Sequence, residues 1–326
     1  MITCFLCKGN KLQSFNITDF SEKTHIKGQK AKLWVVLKNP SPHDLGLLKT
    51  KLDIHPTTVE DILSPDSRIK YEEFDNNTLI VVKGVKKIKG IKVSFYSLFI
   101  IDGEGYVITA YYDSNDTIER LMENPKKIIE LMKGGEDYLV HYIVDKEVDK
   151  YVDLKNDVSD SLKDIEESFM IKPTKDALRE LFLQEKIILE IKQRVDVMTD
   201  VCQRLMKPTD NYIQNDLIPY FRDVYDHISR VSDSFKTYLE RINGIRNSYL
   251  SLTSYKMNES MHLLTIVMTI MMPLSVLTGF YGMNIRLPLQ THPLASVLII
   301  LAMVLVALIM VSVFKRMGLL GFKGNN

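Results

Sequence analysis

The chain has 326 residues and a formal net charge of +1, because its acidic and basic residues are almost equal in number. This balance lacks the basic excess of nucleic-acid-binding proteins, so we expect no nucleic-acid partner. The sequence contains neither GxxxxGK[ST] nor a strand followed by GxGxxG, and we therefore expect no nucleotide partner. Its length is sufficient for one compact domain, a helical section and a membrane anchor.

Residues 1–135 combine strand and helix patterns. Runs that are rich in β-branched and aromatic residues predict four strands, at Leu33–Leu37, Thr78–Val82, Val93–Ile101 and Tyr106–Tyr112. Two short helices are predicted between the first two strands, at Pro42–Lys51 and Pro56–Leu63. Asp102-Gly103 is typical of a hairpin turn between the last two strands. The region is therefore predicted to be an α/β domain.

Cys4 and Cys7 have the spacing of a metal-binding or redox pair, but no second Cys or His pair follows at zinc-site spacing. In a strand, the two side chains would also point to opposite faces of the sheet. We interpret both cysteines as structural residues of a strand in a reducing compartment.

From residue 136 onward the pattern becomes helical. Apolar residues at steps of three and four predict two antiparallel helices within residues 136–208, joined near Pro173. A third helix is predicted from about residue 217 to 280, because Pro219 suits a first helical turn and the next proline is Pro273. At 1.5 Å per residue this helix is roughly 95 Å long. Residues 209–260, which include the first part of this helix, are predicted to form a stalk that packs against copies of itself.

Two apolar runs, 261–281 and 294–314, follow the charged part of the chain and contain no Asp, Glu, Lys or Arg. Each is about as long as a membrane-spanning helix of ~20 residues. The loop between them, 282–293, has Arg286 as its one Arg or Lys. The basic residues that flank the two spans are Arg241, Arg246, Lys256, Lys315, Arg316 and Lys323. By the positive-inside rule we expect both termini, including the tail 315–326, to be cytoplasmic and the loop to be extracellular.

One face of the first span carries a mixture of polar, small and flexible apolar residues. The residues of this face, which we call the stripe, are Asn258, Met261, Leu264, Met268, Met272, Ser275 and Gly279. Their average spacing of about 3.5 residues keeps one seam towards the axis of a left-handed helix bundle. We interpret the stripe as a pore wall with apolar constrictions between polar sites. A helix–helix interface without a water path is the alternative.

The sequence around the first span resembles the CorA family of divalent-cation channels. The resemblance rests on Asn258-Glu259-x-Met261-x-x-Leu264-Thr265-Ile266, Met272-Pro273-Leu274, Gly279 and Tyr281-Gly282-Met283-Asn284. The tripeptide Gly-Met-Asn after the first of two C-terminal spans is the signature of that family. Segments Ile54–Ile62, Lys70–Asp75 and Pro219–His227 are also similar to family segments, so the resemblance covers almost the whole chain.

The resemblance implies a funnel-shaped homopentamer in the cell membrane, with five first spans lining a pore and the α/β domains in the cytoplasm. It implies transport of Mg²⁺, with Co²⁺ and Ni²⁺ as further substrates, without an organic cofactor and without enzymatic activity. Gly282, Met283 and Asn284 would form the selectivity filter, and Tyr281 would support the loop. Many relatives carry a Glu later in this loop, whereas residues 285–292 contain no acid here. Since no ATP motif is present, the membrane potential is the expected driving force.

The resemblance also implies regulation by Mg²⁺ bound between subunits in the cytoplasm. Asp223 matches a stalk acid that faces the neighbouring N-terminal domain, and Asp75 matches one of the acids of that domain. Separately, six aspartates recur at three- and four-residue steps along one helical face: Asp145, Asp149, Asp153, Asp157, Asp160 and Asp164. We consider Asp153, Asp157 and Asp160 weaker candidates for cation sensing, and a solvated outer face is the alternative for the whole row.

Other functions remain open at this point. The chain could be a zinc exporter of the same family, or a membrane-anchored sensor or scaffold without a pore. The alternative of a membrane-bound enzyme has no support, because the sequence shows no nucleophile–base arrangement. Asp223, Asp226 and His227 could hold a transition metal or form a hydrolytic site, but surface or subunit contacts are the favoured interpretation on a long stalk. Glu60-Asp61 is interpreted as a structural element of the α/β domain.

Overall fold

The computed structural model describes residues 2–16, 31–89, 92–171, 174–207, 213–285 and 294–318. The strands among these residues are β1 (Ile2–Lys8), β2 (Lys11–Phe15), β3 (Ala31–Lys38), β4 (Lys70–Glu73), β5 (Asn77–Lys89), β6 (Lys92–Gly103) and β7 (Tyr106–Tyr111). The helices are α1 (Pro42–Leu52), α2 (Pro56–Leu63), α3 (Asp116–Met122), α4 (Pro125–Gly134), α5 (Glu136–Ile171), α6 (Lys175–Leu205), α7 (Ile218–Tyr281) and α8 (Ala295–Arg316).

The strands form a mixed sheet in the order β2-β1-β3-β7-β6-β5-β4. Only β3 and β7 pair in parallel among these strands, and the other neighbours are antiparallel. The central strand β3 is apolar almost throughout because helices cover both faces of the sheet. Leu45 and Leu48 of α1 pack on one face, while α5 contacts β5, β6 and β7. Cys4 and Cys7 are both buried for the same reason, and burial raises the pKa of Cys4 to about 12.

The turn between β6 and β7 differs from the sequence prediction. Asp102-Gly103 was predicted as the turn, but β6 continues through Gly103, and Asp102 pairs with Val107 of β7. The chain reverses at Glu104-Gly105 instead, where Gly105 has φ = +81°. A tight hairpin turn needs a residue with positive φ, which glycine adopts without a steric penalty. The shift places the Asp102 side chain inside the protein.

The chain divides into two units, residues 1–246 and 247–326, and the boundary lies within α7. In the first unit, α7 runs parallel to α5 and antiparallel to α6. Its buried residues on this side recur at helical spacing: Phe221, Val224, Ile228, Val231, Phe235 and Ile242. Residues 218–245 thus pack within their own unit on this side, and the packing of the stalk against copies of itself stays a prediction. Pro173 and Pro208 lie outside the described residues.

In the second unit, the final part of α7 and the whole of α8 are the two helices, among the described residues, that are long and apolar enough to cross a membrane. Large apolar side chains are exposed along both helices, including Met272 and Leu301. Contiguous apolar surface of this extent is not found on an isolated soluble domain. It agrees with the predicted spans 261–281 and 294–314.

Candidate ion pore and regulatory site

The predicted filter residues form the turn that immediately follows α7. The helix ends at Tyr281, the Gly282 amide donates to the carbonyl oxygen of Thr278 at 2.9 Å, and the Met283 amide donates to that of Phe280 at 3.4 Å. Asn284 follows with an exposed side chain. The Gly282 amide is thus used by the helix. Residues 286–293 of the predicted loop lie outside the part of the chain that the structure describes.

Gly282 and Gly279 differ in what surrounds them. A Cβ atom at Gly282 would lie 3.0 Å from the carbonyl oxygen of Thr278, which is closer than most Cβ contacts. A Cβ atom at Gly279, which lies inside the helix, would meet no atom within 4 Å apart from the backbone of its own helical turns. Glycine at 282 is therefore explained within one chain, but glycine at 279 is not. Because glycine in a helix costs about 1 kcal/mol relative to alanine, Gly279 suggests close approach by another molecule.

Tyr281, the predicted supporting residue, is half-buried. Its ring packs edge-to-face on that of Phe280, with centroids 5.6 Å apart and an interplanar angle of 85°. This contact holds the last helical turn before Gly282. Packing of Tyr281 against residues 286–293 lies outside the described part of the chain.

All seven residues of the stripe, from Asn258 to Gly279, are exposed in the single chain. Met261, Met268 and Met272 are each more than half exposed, at 61%, 62% and 71%. Flexible thioether side chains of this kind pack adaptably at interfaces and constrictions. The stripe is thus a continuous surface that is available to other helices or to an axial path.

Sequence analysis missed residues that continue the stripe towards the N-terminus. Asn247, Ser251 and Ser254 precede Asn258 at steps of four, three and four, and all are exposed. These positions follow the same 3.5-residue period, but they lie before the apolar run that marks the first span. Thr265 also fits this period, and its hydroxyl donates to the carbonyl oxygen of Met261 at 2.9 Å. Because the hydroxyl proton of Thr265 is used in this hydrogen bond, the Thr265 oxygen can act only as a hydrogen-bond acceptor.

The predicted regulatory residue Asp223 lies beside the acidic face of α5. Its side chain is 67% exposed, and its Oδ1 is 3.7 Å from Nε2 of His227 one turn later on α7. Asp145, Asp149 and His227 offer ligand atoms that all lie within 4.8 Å of one another. Lys146 pairs with Asp149 at 2.6 Å and with Asp145 at 3.4 Å, so this negative charge is partly neutralised. The group combines carboxylate and imidazole ligands, which suit divalent transition metals as well as Mg²⁺.

Asp75, the second predicted regulatory acid, has different neighbours. It lies in the turn between β4 and β5 and lines a surface pocket with Asp53, His55 and Asn77. Asn76 donates to the Asp53 carboxylate at 2.6 Å, so this amide occupies the place next to Asp75. The structure thus places Asp75 near the end of α1 and Asp223 near α5.

The weaker candidates on α5 are partly neutralised by lysines. Lys87 pairs with Asp157 at 2.6 Å, and Lys163 pairs with Asp160 at 3.2 Å. Asp153 is exposed and lines a pocket that also contains Lys150. Asp157 and Asp160 are thus each paired with a lysine, as Asp145 and Asp149 are with Lys146.

Comparison with known proteins identifies the family. The family described as "CorA-like Mg2+ transporter protein" matches residues 29–316. The chain belongs to this family. It is 30% identical over 310 residues to the cobalt/magnesium transport protein CorA of Thermotoga maritima, covering 94% of this chain and 88% of that protein. It is 27% identical to the putative metal ion transporter YfjQ of Bacillus subtilis, covering 79% and 80% of the two chains.

The fold of this CorA-family chain agrees with a solved structure of a family member. The complete structure of the CorA magnesium transporter from Methanocaldococcus jannaschii superposes with a TM-score of 0.82 at 22% identity, covering 97% of this chain and 98% of that one. The predicted order of an α/β domain, a long helix and two C-terminal apolar helices is confirmed. The family is one of membrane ion transporters, so the predictions of magnesium and cobalt transport class and of membrane insertion agree with it.

Proposed function

We propose that this chain forms a homopentameric channel that carries Mg²⁺ into the cytoplasm, with Co²⁺ and Ni²⁺ as further substrates. The observation that carries the proposal is the position of Gly282, Met283 and Asn284, directly after an apolar helix that exposes the stripe along one face. Membership of a Mg²⁺ transporter family supports the substrate class. In this proposal residues 261–281 line the pore, residues 282–293 form the extracellular loop and residues 294–314 face lipid.

The proposed filter recognises Mg²⁺ with its water shell. Mg²⁺ gives up water reluctantly, so a pore that required dehydration would conduct slowly. Water bound to a cation points its hydrogens outward and needs acceptors around it. Asn284 supplies a side-chain oxygen, and Gly282 supplies a carbonyl oxygen while its amide remains bonded to Thr278. Five copies of each would make a ring of neutral oxygens. Because residues 285–292 contain no acidic residue, the affinity for the cation would depend on this ring of neutral oxygens.

Below the filter, the stripe would alternate acceptors with apolar constrictions. Met261, Leu264 and Met272 would narrow the path and close it by excluding water. Asn258, Ser275 and the carbonyl of Gly279 would offer polar sites between them. Met268 would line the path between Leu264 and Met272. The driving force for a divalent cation is about twice 2.3 kcal/mol per 100 mV of membrane potential.

We further propose that cytoplasmic Mg²⁺ closes the channel by binding between subunits at Asp223 and Asp75. In one chain these acids lie beside different elements, which is compatible with a contact made by neighbouring subunits. The ligand group of Asp145, Asp149 and His227 lies next to Asp223 and would extend the binding site. In this arrangement residues 1–135 form the cytoplasmic α/β domain, residues 136–208 the helix pair and residues 209–260 the stalk, with both termini in the cytoplasm.

Ion flux into liposomes tests the proposal. Purified protein is reconstituted, an inside-negative potential is imposed, and Mg²⁺ uptake is recorded for the wild type, Asn284→Leu and the control Asn284→Gln. We expect Asn284→Leu to abolish uptake with assembly intact, because leucine offers no acceptor, and Asn284→Gln to retain part of it. Wild-type uptake by Asn284→Leu would refute the filter. Potential-independent Zn²⁺ movement without Mg²⁺ uptake would favour the zinc exporter, and an absence of flux would favour an anchored scaffold.

A further inference from the structure

A lysine side chain contacts the ligand group that lies beside Asp223. The members of this group, Asp145, Asp149 and His227, place their ligand atoms within 4.8 Å of one another. The Nζ atom of Lys146 is 2.6 Å from Oδ2 of Asp149 and 3.4 Å from Oδ2 of Asp145. One ammonium group therefore contacts both carboxylates that would bind a divalent cation.

The imidazole of His227, the third member of the group, has no such partner. Its Nδ1 atom is buried and has no hydrogen-bond partner among the residues that the structure describes. Its Nε2 atom is 3.7 Å from Oδ1 of Asp223, which is longer than an N–H···O hydrogen bond. A neutral imidazole has one nitrogen lone pair that can bind a metal ion. Lys146 thus pairs with the carboxylates of the group and leaves its imidazole unpaired.

The next lysine on α5 has a different role. Lys150 donates to the buried carboxylate of Glu147 at 2.9 Å and to the Tyr96 hydroxyl at 2.6 Å. Its removal would leave the charge of Glu147 buried without its cation, which is strongly destabilising. The side chain of Lys146 is 42% exposed, and its two aspartates are also partly exposed. Lys146 can therefore turn into solvent without leaving a buried charge unpaired.

A divalent cation and Lys146 would repel each other at these carboxylates. An oxygen ligand lies about 2.1 Å from Mg²⁺, so a cation on the same Asp149 oxygen would lie within about 5 Å of Nζ. Charges this close interact appreciably even near a protein surface. A divalent cation carries twice the charge of the ammonium group, so both carboxylates attract it more strongly. A monovalent cation has no such advantage, and the ammonium group is tethered beside the carboxylates.

We propose that Lys146 is a tethered competitor for the cation site, and that a divalent cation binds by displacing its ammonium group from Asp145 and Asp149. This inference rests on the proposed function, in which the ligand group extends the regulatory site. Lys146 raises the concentration of divalent cation that is needed to occupy the group. It also disfavours monovalent cations, which carry no more charge than the ammonium group. Lys146 thus determines specificity without binding the cation itself.

Mn²⁺ binding to the full-length protein in detergent tests this proposal. Free Mn²⁺ is quantified by electron paramagnetic resonance at constant ionic strength, and the binding that Asp149→Ala removes is assigned to the group. We expect Lys146→Met to bind Mn²⁺ there at least about threefold more tightly than the wild type, which is the scale on which exposed ion pairs act. Methionine offers neither a charge nor an oxygen ligand. Lys146→Arg should bind like the wild type, because it keeps the tethered charge.

Lys163→Met is the matched control. Lys163 pairs with Asp160 at 3.2 Å with the same i,i+3 spacing. It lies about 20 Å from Asp149 along α5, which exceeds the Debye length of about 8 Å at 0.15 M salt. We expect wild-type Mn²⁺ affinity in this variant. Unchanged affinity in Lys146→Met, equal tightening in Lys163→Met, or an absence of binding that depends on Asp149 would each overturn the proposal.

Failure of the proposed function would give a different result. Mn²⁺ binding is measured without ion flux, so a chain that does not transport Mg²⁺ would still show the effect of Lys146. If the ligand group regulates the channel, Mg²⁺ should also protect the first unit of Lys146→Met against protease at a lower concentration than in the wild type. Tighter binding with unchanged protection would contradict regulation by this group and leave the role of Lys146 intact.

Discussion

Gly282→Ala and Gly279→Ala form a matched pair of substitutions that tests how the filter turn is held. The same methyl group is added three residues apart at the end of α7. At residue 282 it would lie 3.0 Å from the Thr278 carbonyl oxygen, against an ordinary contact distance of at least 3.4 Å. The backbone must therefore shift by a few tenths of an ångström. At residue 279, inside the helix, it meets no atom within 4 Å apart from the backbone of its own helical turns.

The shift at residue 282 acts on the hydrogen bond that fixes the filter. Gly282 donates to the same Thr278 oxygen at 2.9 Å, and bending or losing such a bond costs about 0.5–1.5 kcal/mol. A proposed ring of five carries this change in every subunit. An increase of about 1.4 kcal/mol in the barrier lowers a rate tenfold. We therefore expect Gly282→Ala to reduce Mg²⁺ flux at least about tenfold.

The assay is Mg²⁺ uptake by liposomes, with native mass spectrometry of the same preparation as a measure of assembly. Gly282→Ala should assemble normally and conduct poorly. Gly279→Ala should leave the filter turn intact, since alanine is favoured over glycine in a helix by about 1 kcal/mol. Any defect of Gly279→Ala should therefore come from contacts with other copies or from a narrower pore, and not from the filter turn. Wild-type flux in Gly282→Ala, with assembly unchanged, would refute the steric reasoning.

Three further predictions concern the first unit. Asp223→Ala should weaken the protection that millimolar Mg²⁺ gives this unit against protease, and cleavage that is unchanged across the Mg²⁺ range would contradict a regulatory site there. Glu147 is fully buried and accepts hydrogen bonds from Tyr96, Thr117 and Lys150. Glu147→Leu should therefore lower the free energy of unfolding by about 3–5 kcal/mol. Denaturant titration measures this loss, with Glu147→Gln as the control. Because the folded-state pKa of Asp102 is raised, wild-type stability should fall as pH rises above about 3.9. Asp102→Asn should reduce this loss but not remove it, because burial raises the pKa of both Asp102 and Asp137. It should melt at a higher temperature than the wild type at neutral pH, and equal melting temperatures would count against this prediction.

Sequence reasoning located the long helices more accurately than the sheet. The periodic apolar positions of α5, α6 and α7 extend over many turns, so their pattern outweighs local exceptions. A strand was predicted at Cys4 and Cys7 without bounds, where β1 lies, and the strands β2 and β4 were not predicted. β1 is apolar without alternation, and most of β2 is exposed, so neither gives a clear strand pattern. The short helices α3 and α4 begin after Asn115 and Asn124, whose side chains cap them, and these two signals were available.

The functional sites were predictable to different degrees for a physical reason. The filter turn is made of consecutive residues, so a motif is sufficient to find it. The group of Asp145, Asp149 and His227 joins residues about 80 positions apart, and it depends on the register between α5 and α7. Helical periodicity indicates which face of each helix is buried, but it does not fix how far one helix slides along another. In the sequence, these three residues were therefore visible only as part of an acidic row and as a separate histidine.

The two parts of the continuous helix α7 differ in how their side chains are buried. Residues 218–245 bury Phe221, Val231 and Phe235 in the core of their own unit, so this part of α7 is held by contacts within one chain. From residue 247 onward the helix exposes polar, small and apolar residues, and its stripe has a defined function only when other copies enclose it. A dissociated subunit should therefore retain cation binding near His227 while losing ion conduction. In the proposed channel, permeation and the cation site between Asp223 and Asp75 would both need neighbouring copies, whereas the group of Asp145, Asp149 and His227 is assembled within one chain.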